Sequence, residues 1–397
     1  MKTPGTLGSP VLGALWFGAA VSTAEILTGG LLAPLGWAWG LGVILAGHLV
    51  GGLVFFGAGW MSSRTGQNAI GVSRLSFGAA GPKLFGAVNV LQLVGWTAVM
   101  VILGSQSLDA LAGALWGFHV SWVWKLVLGV LLLLWAASGL EGIRRLNTAA
   151  VVLLLLLTAV MGWVVFQTPP APPSAQPLRL SDALELVVVM PLSWLPLVGD
   201  YTRRAGKPLR GNLTAVIGYV VGSVWMYAIG LASALALGTA DPTQQMLRAG
   251  LGLAGLAIIA VSTATSGFLD VVSAGVSFQN IVPRANDRGS ALALGAIGVA
   301  LALVFPMDRY QDFLYALGAL FGPLYAVLLS DYLFVRRRER NVRFAVFSFV
   351  AWAFGAALYY VLQSLSTPLG VTVPTVLATA ALNLVFKLFV LKKGAVS

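Results

Sequence analysis

Two acidic side chains of this sequence lie deep within apolar stretches, where an ionised group is costly. Glu25 is the only charged residue between Leu12 and Leu35, and Asp270 falls inside the apolar segment 260–275. A carboxylate near the bilayer centre costs at least about 2.5–3.5 kcal/mol on insertion scales, so such residues usually bind an ion or a ligand. The alternative for Glu25 is a structural pairing within a helix-packing face of small residues.

Two tryptophans are also far from the ends of apolar stretches. Trp96 lies in the middle of one such stretch, and Trp194 lies between two prolines in another. Tryptophan in membrane proteins usually lies at the membrane–water interface, so these two positions need another explanation. A planar heteroaromatic solute held between two indoles gains about 1 kcal/mol per stacked contact beyond the burial of its area.

The acids near these indoles indicate what such a solute would be. Hydrogen bonds from Glu25, Asp270 and either Gln92 or Asn89 could recognise the edge of a flat ring. A carboxylate accepts a hydrogen bond from an exocyclic amine and pairs with a protonated ring nitrogen. The set therefore predicts an aminopyrimidine as the ligand.

Hydroxyl side chains cluster just before Asp270, at Ser262, Thr263, Thr265 and Ser266. A sodium ion prefers hard oxygen donors, which hydroxyls supply together with backbone carbonyls freed by a broken helix. Hydroxyls within membrane spans also commonly bond their own helix or a neighbouring one. A cation site and a purely structural role therefore both remain open for this cluster.

The composition places these side chains in a membrane. Of the 397 residues, 58% are hydrophobic and 9% are charged, far below the charge of a soluble domain. The absence of cysteine and the presence of two histidines argue against a transition-metal site, and no cofactor is predicted. No cleavable signal is expected, because the first apolar stretch is too long. The sequence predicts an all-α polytopic membrane protein.

Stretches of about 20 apolar residues predict twelve membrane spans. In order, they are Val11–Gly36, Ala38–Met61, Phe85–Leu115, Trp122–Ser138, Thr148–Phe166, Ala183–Tyr201, Leu213–Leu237, Gly250–Val282, Ala291–Phe305, Phe313–Phe334, Phe344–Leu362 and Val373–Leu391.

The first and sixth spans each contain an interruption, predicted at Ser22–Gly30 and at Met190–Pro196. Matching interruptions in corresponding spans of two halves indicate an inverted-repeat transporter, with its binding site at mid-depth. Two unrelated kinks are the alternative. A proline-rich connector, Thr168–Pro177, separates the fifth span from the sixth.

The basic residues lie mostly on one face of the predicted spans, which places both termini in the cytoplasm of a cell-membrane protein. The segment Arg336–Arg343 could bind anionic lipid, but an orientation signal is the simpler interpretation. This placement also accounts for the net charge of +11 without a nucleic-acid partner. The basic residues of that face are Lys2, Arg64, Arg74, Lys83, Arg144, Arg145, Arg203, Arg204, Lys207, Arg210, Arg284, Arg288, Arg336, Arg337, Arg338, Arg340, Arg343, Lys387, Lys392 and Lys393.

Five segments together resemble the nucleobase–cation symporter family, whose members carry nucleobases, hydantoins and related vitamins. They are LWFGAAVS (15–22), GWTAVM (95–100), SWLPLVGDYTRRA (193–205), SAGVSFQNIVPR (273–284) and YQDFLYALGALFGPLYAVLLSDYLFVRR (310–337). The stretch STAEILTGGLLAPLG (22–36) is similar to the branch that takes up hydroxymethylpyrimidine, a thiamine precursor.

The resemblance implies a LeuT-type fold of two inverted five-span repeats plus two additional helices. Residues 1–168 would form spans one to five, and 169–180 would form an extracytoplasmic connector. Residues 181–335 would form spans six to ten, and 336–397 spans eleven and twelve with a cytoplasmic C-terminus. We expect a monomer in the lipid bilayer.

The resemblance also implies site residues. The family stacks its substrate between a tryptophan of span three and an aromatic residue of span six, which match Trp96 and Trp194 here. Its cation is bound by carbonyls of the first-span break and hydroxyls of span eight. At two positions where family members carry an amide side chain, this sequence has Asp270 and Met100. These differences imply that the substrate presents a different edge from that of hydantoin or cytosine. The implied substrate-binding residues are Ser22, Glu25, Gln92, Trp96, Met100, Ser193, Trp194 and Asp270. The implied sodium ligands are Gly18, Val21, Thr265 and Ser266, with Thr263 as the alternative register.

The predicted function is import of an aminopyrimidine such as hydroxymethylpyrimidine by symport with Na⁺ or H⁺ through alternating access. A cytosine, purine or hydantoin symporter is the alternative within the family. An intramembrane enzyme would need a nucleophile–base pair or a metal cluster, and no cysteine or mid-span histidine is expected to supply one. A channel would need repeated pore-lining polar residues, which the isolated acids do not provide.

Overall fold

The computed structural model describes residues 6–138, 140–171, 177–335, 342–365, 367 and 369–394, with only the backbone described for 140–147 and 389–394. The described part contains sixteen α-helices. They are α1 Ser9–Ala20, α2 Thr23–Gly30, α3 Gly36–Thr65, α4 Arg74–Phe77, α5 Gly81–Trp116, α6 Ser121–Ser138, α7 Leu140–Phe166, α8 Leu180–Ser193, α9 Leu195–Thr202, α10 Pro208–Leu237, α11 Pro242–Arg248, α12 Gly252–Phe278, α13 Asp287–Val304, α14 Tyr310–Phe334, α15 Val346–Leu365 and α16 Thr372–Gly394.

Ten helical segments in the described part of the chain are long and apolar enough to cross a membrane. Two shorter apolar helices, Ser9–Ala20 and Thr372–Leu388, lie where the first and twelfth spans are predicted. Each of the twelve predicted spans therefore coincides with a helix or with a pair of helices. The all-helical membrane architecture is confirmed, while the count of twelve crossings stays a prediction.

The first predicted span is broken, but not over the residues that the sequence indicated. Helix α1 ends at Ala20 and α2 begins at Thr23, so the break is confined to Val21 and Ser22. The prediction of an interruption over Ser22–Gly30 is wrong in its extent, because Thr23–Gly30 is helical.

The glycines of α2 have a packing role instead. A β-carbon added at Gly29 would lie 2.3 Å from the carbonyl oxygen of Tyr227 in α10. One added at Gly230 would lie 2.1 Å from the carbonyl oxygen of Ile26. The backbones of α2 and α10 are therefore in direct contact, which only glycine at these positions permits. For these glycines, the helix-packing interpretation is the correct one.

The sixth predicted span is broken at a single residue. Helix α8 ends at Ser193 and α9 begins at Leu195, with Trp194 between them. Pro191 lies within the last turn of α8, and the N–H of Trp194 bonds its carbonyl at 3.3 Å. Pro196, in the first turn of α9, has no N–H to bond the Leu192 carbonyl, and its ring crowds that carbonyl, which explains why the helix is interrupted here.

Helix packing relates the two halves. Helix α1 packs on α10, and α8 and α9 pack on α3, so each broken span contacts the second span of the other half. Helix α5, the third span, packs along α12, the eighth. Helices α15 and α16 pack on α14 and on each other. The broken spans thus lie in one bundle beside the pair formed by α5 and α12.

Several predicted features lie partly outside the described residues. The connector Thr168–Pro177 is described only at its ends, where the Ala171 N–H donates to the Leu235 carbonyl at 2.8 Å. Lys2, the basic segment Arg336–Arg340 and the side chains of Arg144, Arg145, Lys392 and Lys393 are also outside. The division into residues 1–168, 169–180, 181–335 and 336–397 stays a prediction.

Candidate functional site

One cavity lies where the two broken spans meet α5 and α12. All eight predicted substrate-binding residues line it, together with Ala19, Ala24, Leu93, Met190, Leu197 and Ser266. Its free volume is about 30 Å³, which holds one or two water molecules. Admission of a six-membered ring therefore requires the lining side chains to move.

The two mid-span tryptophans both line this cavity. Trp96 is 7% exposed and meets Phe313 edge-on, with ring centroids 5.4 Å apart. Trp194 is half-buried and meets Trp16 edge-on at 5.7 Å. Each indole is thus held in place by an aromatic neighbour.

The carboxylate of Glu25 is held by two hydroxyls of α10. The Tyr219 hydroxyl donates to Oε1 at 3.0 Å, and the Ser223 hydroxyl is hydrogen-bonded to Oε2 at 2.7 Å. Glu25 is 1% exposed. The structural pairing considered from the sequence is therefore present, and the same side chain also lines the cavity.

Asp270 is the second buried acid at the cavity, at 5% exposure. Its carboxylate has no hydrogen-bond or ion-pair partner among the described residues. A buried polar group without a partner costs free energy, and a carboxylate costs more than a neutral group. Asp270 is therefore available to a ligand in a way that Glu25 is not.

Gln92 connects α5 to the break in the sixth span. Its Nε2 donates to the Ser193 carbonyl and to Asn89 Oδ1, both at 2.8 Å. Asn89 in turn donates to the Ser277 hydroxyl of α12 at 2.7 Å. The Oε1 of Gln92 is buried and has no partner within the described structure, which adds a second free acceptor to the cavity wall.

The predicted cation ligands lie around the break of the first span. The Ser22 N–H bonds the Ala20 carbonyl at 2.9 Å, so it does not use the carbonyl of Gly18 as a continuing helix would. Val21 occupies the break itself.

On α12, the hydroxyls of Thr265 and Ser266 bond the Ser262 carbonyl of their own helix at 2.8 and 3.2 Å. Thr263, the alternative register, reaches the first span through its contact with the Thr23 hydroxyl at 3.0 Å. The described residues contain no cluster of three or more acidic or histidine side chains able to hold a metal ion.

Three residues of the site escaped the sequence analysis. Tyr219, Ser223 and His48 form a buried network with Glu25, in which His48 Nε2 lies 2.5 Å from Ser223 Oγ. His48 is 1% exposed and lies well inside α3. The expectation that no histidine lies mid-span is therefore wrong. The signal was present in the sequence, because His48 falls near the middle of the second predicted span.

A buried cavity between two broken spans and a neighbouring helix pair is typical of LeuT-type secondary transporters. A family model described as permeases for cytosine/purines, uracil, thiamine and allantoin matches residues 11–389. The chain belongs to this family, the nucleobase–cation symporters, and is a transporter rather than an enzyme.

Similar proteins include two permeases. The cytosine permease of Escherichia coli (strain K12) is 26% identical over 331 residues, which cover 82% of this chain and 77% of the relative. The hydantoin permease of Microbacterium maritypicum is 21% identical over 363 residues, which cover 84% and 74%.

Two structures of Mhp1 share the fold. Its inward-facing conformation aligns with a TM-score of 0.83 at 20% identity, covering 98% of this chain and 93% of that chain. A closed conformation with bromovinylhydantoin bound aligns with a TM-score of 0.81 at 18% identity, over the same shares. These matches confirm the LeuT-type fold that the resemblance implied.

Proposed function

We propose that this protein imports an aminopyrimidine, such as the thiamine precursor hydroxymethylpyrimidine, by symport with Na⁺ or H⁺. The observation that carries the proposal is the pair of unpartnered acceptors at the cavity, the Asp270 carboxylate and Gln92 Oε1. Acceptors without donors favour a solute that brings N–H groups, as an exocyclic amine does. Hydantoin and uracil also carry ring N–H groups, but each of these donates a single hydrogen beside a carbonyl oxygen, whereas an exocyclic amine offers two hydrogens from one nitrogen.

The indoles supply the remaining recognition. A ring between Trp96 and Trp194 would stack on both, with Glu25, Ser22, Ser193 and Met100 completing the wall. The description of the family includes thiamine among its substrates, and the cytosine permease relative is named for an aminopyrimidine. A cytosine carrier is accordingly the second candidate, because cytosine also presents an exocyclic amine.

For sodium coupling, the ligands would be the carbonyls of Gly18 and Val21 and the hydroxyls of Thr265 and Ser266, with Thr263 as the alternative. The hydrogen bond between Thr23 and Thr263 favours the alternative register, because it is the hydroxyl contact that joins α12 to the first span. Cation binding at this junction would stabilise the state with high substrate affinity, which is the linkage that symport requires.

Alternating access would move the bundle of the broken spans against the α5–α12 pair. The excess of basic residues on one face would place both termini in the cytoplasm of the cell membrane. We expect the transporter to work as a monomer.

Thermal unfolding of the purified protein with candidate ligands tests the substrate, because a ligand that binds the folded state raises its stability. We expect hydroxymethylpyrimidine to raise the melting temperature more than cytosine does, and hydantoin and uracil to have little effect. A larger shift with hydantoin or uracil would contradict the aminopyrimidine assignment. A larger shift with cytosine would favour the second candidate.

A further inference from the structure

A chain of hydrogen bonds leads from the cavity wall to a histidine in the second span. Glu25 Oε2 lies 2.7 Å from Ser223 Oγ, and Ser223 Oγ lies 2.5 Å from His48 Nε2. His48 Nδ1 lies 2.7 Å from the Ile44 carbonyl oxygen. All three side chains are at most 1% exposed. The chain joins α2, α10 and α3, and only its Glu25 end lines the cavity.

The donors and acceptors of this chain can be assigned from elementary chemistry. A backbone carbonyl oxygen only accepts, so His48 Nδ1 carries a hydrogen and donates it to Ile44. The Ser223 hydroxyl carries one hydrogen but has two short contacts. It can donate to one of them only, and the other partner must donate to Ser223.

Two arrangements satisfy every contact. In the first, Ser223 donates to an ionised Glu25, and a doubly protonated, cationic His48 donates from Nε2 to Ser223. In the second, a protonated Glu25 donates to Ser223, and Ser223 donates to Nε2 of a neutral His48. The two differ by the movement of one proton from Glu25 to Ser223 and of another from Ser223 to His48. Both contain the same number of protons.

If the chain loses one proton, either the Ser223–His48 contact or the Ser223–Glu25 contact has no hydrogen between its two atoms. With Glu25 ionised and His48 neutral, the Ser223 hydrogen goes to Glu25, and the Nε2 lone pair then faces an oxygen lone pair at 2.5 Å. If the hydrogen goes to Nε2, the Ser223 oxygen faces the carboxylate instead. The observed distances therefore fit a chain that holds one proton more than the state in which Glu25 is ionised and His48 is neutral.

The groups around the chain do not supply a competing charge. No lysine or arginine in the described ranges forms an ion pair with Glu25 or His48. The acids of the packed helices have other positions, with Asp270 on α12 across the cavity, Glu185 on α8 bonded to α15 and α16, and Asp200 on α9 bonded to the Ala69 N–H. The neighbouring phenols are Tyr219, bonded to Glu25, Tyr227, edge-on to His48 at 5.1 Å, and Tyr310, bonded to Thr28.

Building on the proposed symport function, we propose that the chain of Glu25, Ser223 and His48 is the proton-binding site of this transporter, and that its proton is the coupled cation. The proton enters from water on one side of the membrane and leaves to water on the other, so no further reactant is needed. Loss of the proton breaks the hydrogen bond between His48 of α3 and Ser223 of α10 and leaves Glu25 charged at the substrate cavity. Proton and substrate binding are thereby linked.

Nuclear magnetic resonance of the histidine ring nitrogens tests the site without transport or substrate. The protein has two histidines, and the second, His119, is exposed and contacts Asp109 at 3.2 Å. His119→Gln therefore leaves His48 as the single reporter in protein labelled with ¹⁵N-histidine. We expect Nδ1 to remain protonated throughout a titration from pH 5 to 9, and the Nε2 signal to change as the chain loses its proton.

Variants in the same background locate the proton on the chain. Glu25→Gln and Ser223→Ala should each move the pH at which the Nε2 signal changes by about one unit or more, a tenfold change in proton affinity. Ser233→Ala is the matched control, because Ser233 is a buried serine of the same helix whose hydroxyl has no partner within the described structure. A His48 titration that is the same in all these variants would overturn the proposal.

Uptake by proteoliposomes then tests proton coupling separately from the symport function. With hydroxymethylpyrimidine or cytosine as the probe, we expect uptake driven by an inward proton gradient, accompanied by acidification inside the vesicles, and lost in Ser223→Ala. Uptake driven by sodium and indifferent to the proton gradient would refute proton coupling while leaving symport intact. Absence of gradient-driven uptake of either probe would count against the proposed function, and the resonance experiment would still decide whether the chain holds a proton.

Discussion

Thr23 and Thr263 join the broken first span to the eighth span through a hydrogen bond of 3.0 Å between their hydroxyls. Both side chains are 1% exposed, and Thr263 also donates to the Ile259 carbonyl of its own helix at 2.8 Å. The Thr265 hydroxyl, two residues further along, bonds only its own helix among the contacts described. The hydroxyl contact between the first and eighth spans therefore depends on Thr263 and not on Thr265.

Thr263→Val should destabilise the protein more than Thr265→Val does. Valine keeps the shape of threonine and removes the hydroxyl, so the Thr263 variant leaves the Thr23 hydroxyl without its partner across the helices. A lost hydrogen bond of this kind lowers the free energy of unfolding by about 1 kcal/mol. Thermal unfolding of both variants in the same detergent measures the difference. Equal melting temperatures would mean that the junction contributes nothing to stability.

Trp96→Ala and Trp194→Ala should each weaken aminopyrimidine binding about tenfold or more, because each removes one stacking surface. Trp116→Ala is the control for Trp96, since Trp116 belongs to the same helix and is 71% exposed. Titration calorimetry with hydroxymethylpyrimidine measures the affinities. Unchanged affinity in both cavity variants, with correct folding, would place the stacking site elsewhere.

Asp270→Asn should reduce affinity for ligands that carry an exocyclic amine by about 10- to 100-fold, the range expected for a hydrogen bond to a charged group. A ligand of the same ring without the amine should lose much less. Asp312→Asn is the control, because Asp312 is exposed and pairs with Arg309 at 3.0 Å. Equal losses for both ligands would mean that Asp270 does not contact the amine.

Glu185→Gln should lower stability without lowering ligand affinity. The Glu185 carboxylate accepts hydrogen bonds from the Tyr359 hydroxyl, from the backbone N–H groups of Val371 and Thr372, and from the Thr372 hydroxyl. A glutamine would turn an NH₂ group toward these donors, at a cost of about 1–3 kcal/mol. Thermal unfolding and ligand titration of the same sample measure both effects.

Asp182→Asn is the control for Glu185→Gln, because Asp182 lies on the same helix and pairs with Arg179 at 2.7 Å near the surface. Its melting temperature should remain that of the unmodified protein. A Glu185 variant that is as stable as the Asp182 variant would contradict an anchoring role for this carboxylate.

The sequence alone identified the cavity residues whose side chains are rare at the centre of a membrane. An acid or an indole far from the ends of an apolar stretch has few structural explanations, which is why Glu25, Trp96, Trp194 and Asp270 were all predicted at the cavity. Ser22 and Ser193, which lie within the two predicted interruptions, are implied as site residues by the family resemblance. The structure places all of these side chains around one cavity.

The partners of Glu25 could not be predicted in the same way. Serine and tyrosine are common in membrane spans, so Ser223 and Tyr219 carry no signal until the register of α10 against α2 is known. The predicted extent of the first break is wrong because Thr28 followed by two glycines resembles an unwound segment. Gly29 is instead required by the backbone of α10, about 200 residues away in sequence.

The close contact at Gly29 has a consequence for how the transporter changes state. Because no side chain separates this half-helix from the backbone at Tyr227, the two segments cannot slide past each other without a collision and must turn together. The first half of this span is held in the same way, because a β-carbon added at Gly218 of α10 would lie 2.2 Å from the carbonyl oxygen of Gly13 in α1. We therefore expect both halves of the broken first span to travel with α10 as one unit, carrying their side of the chamber wall with them.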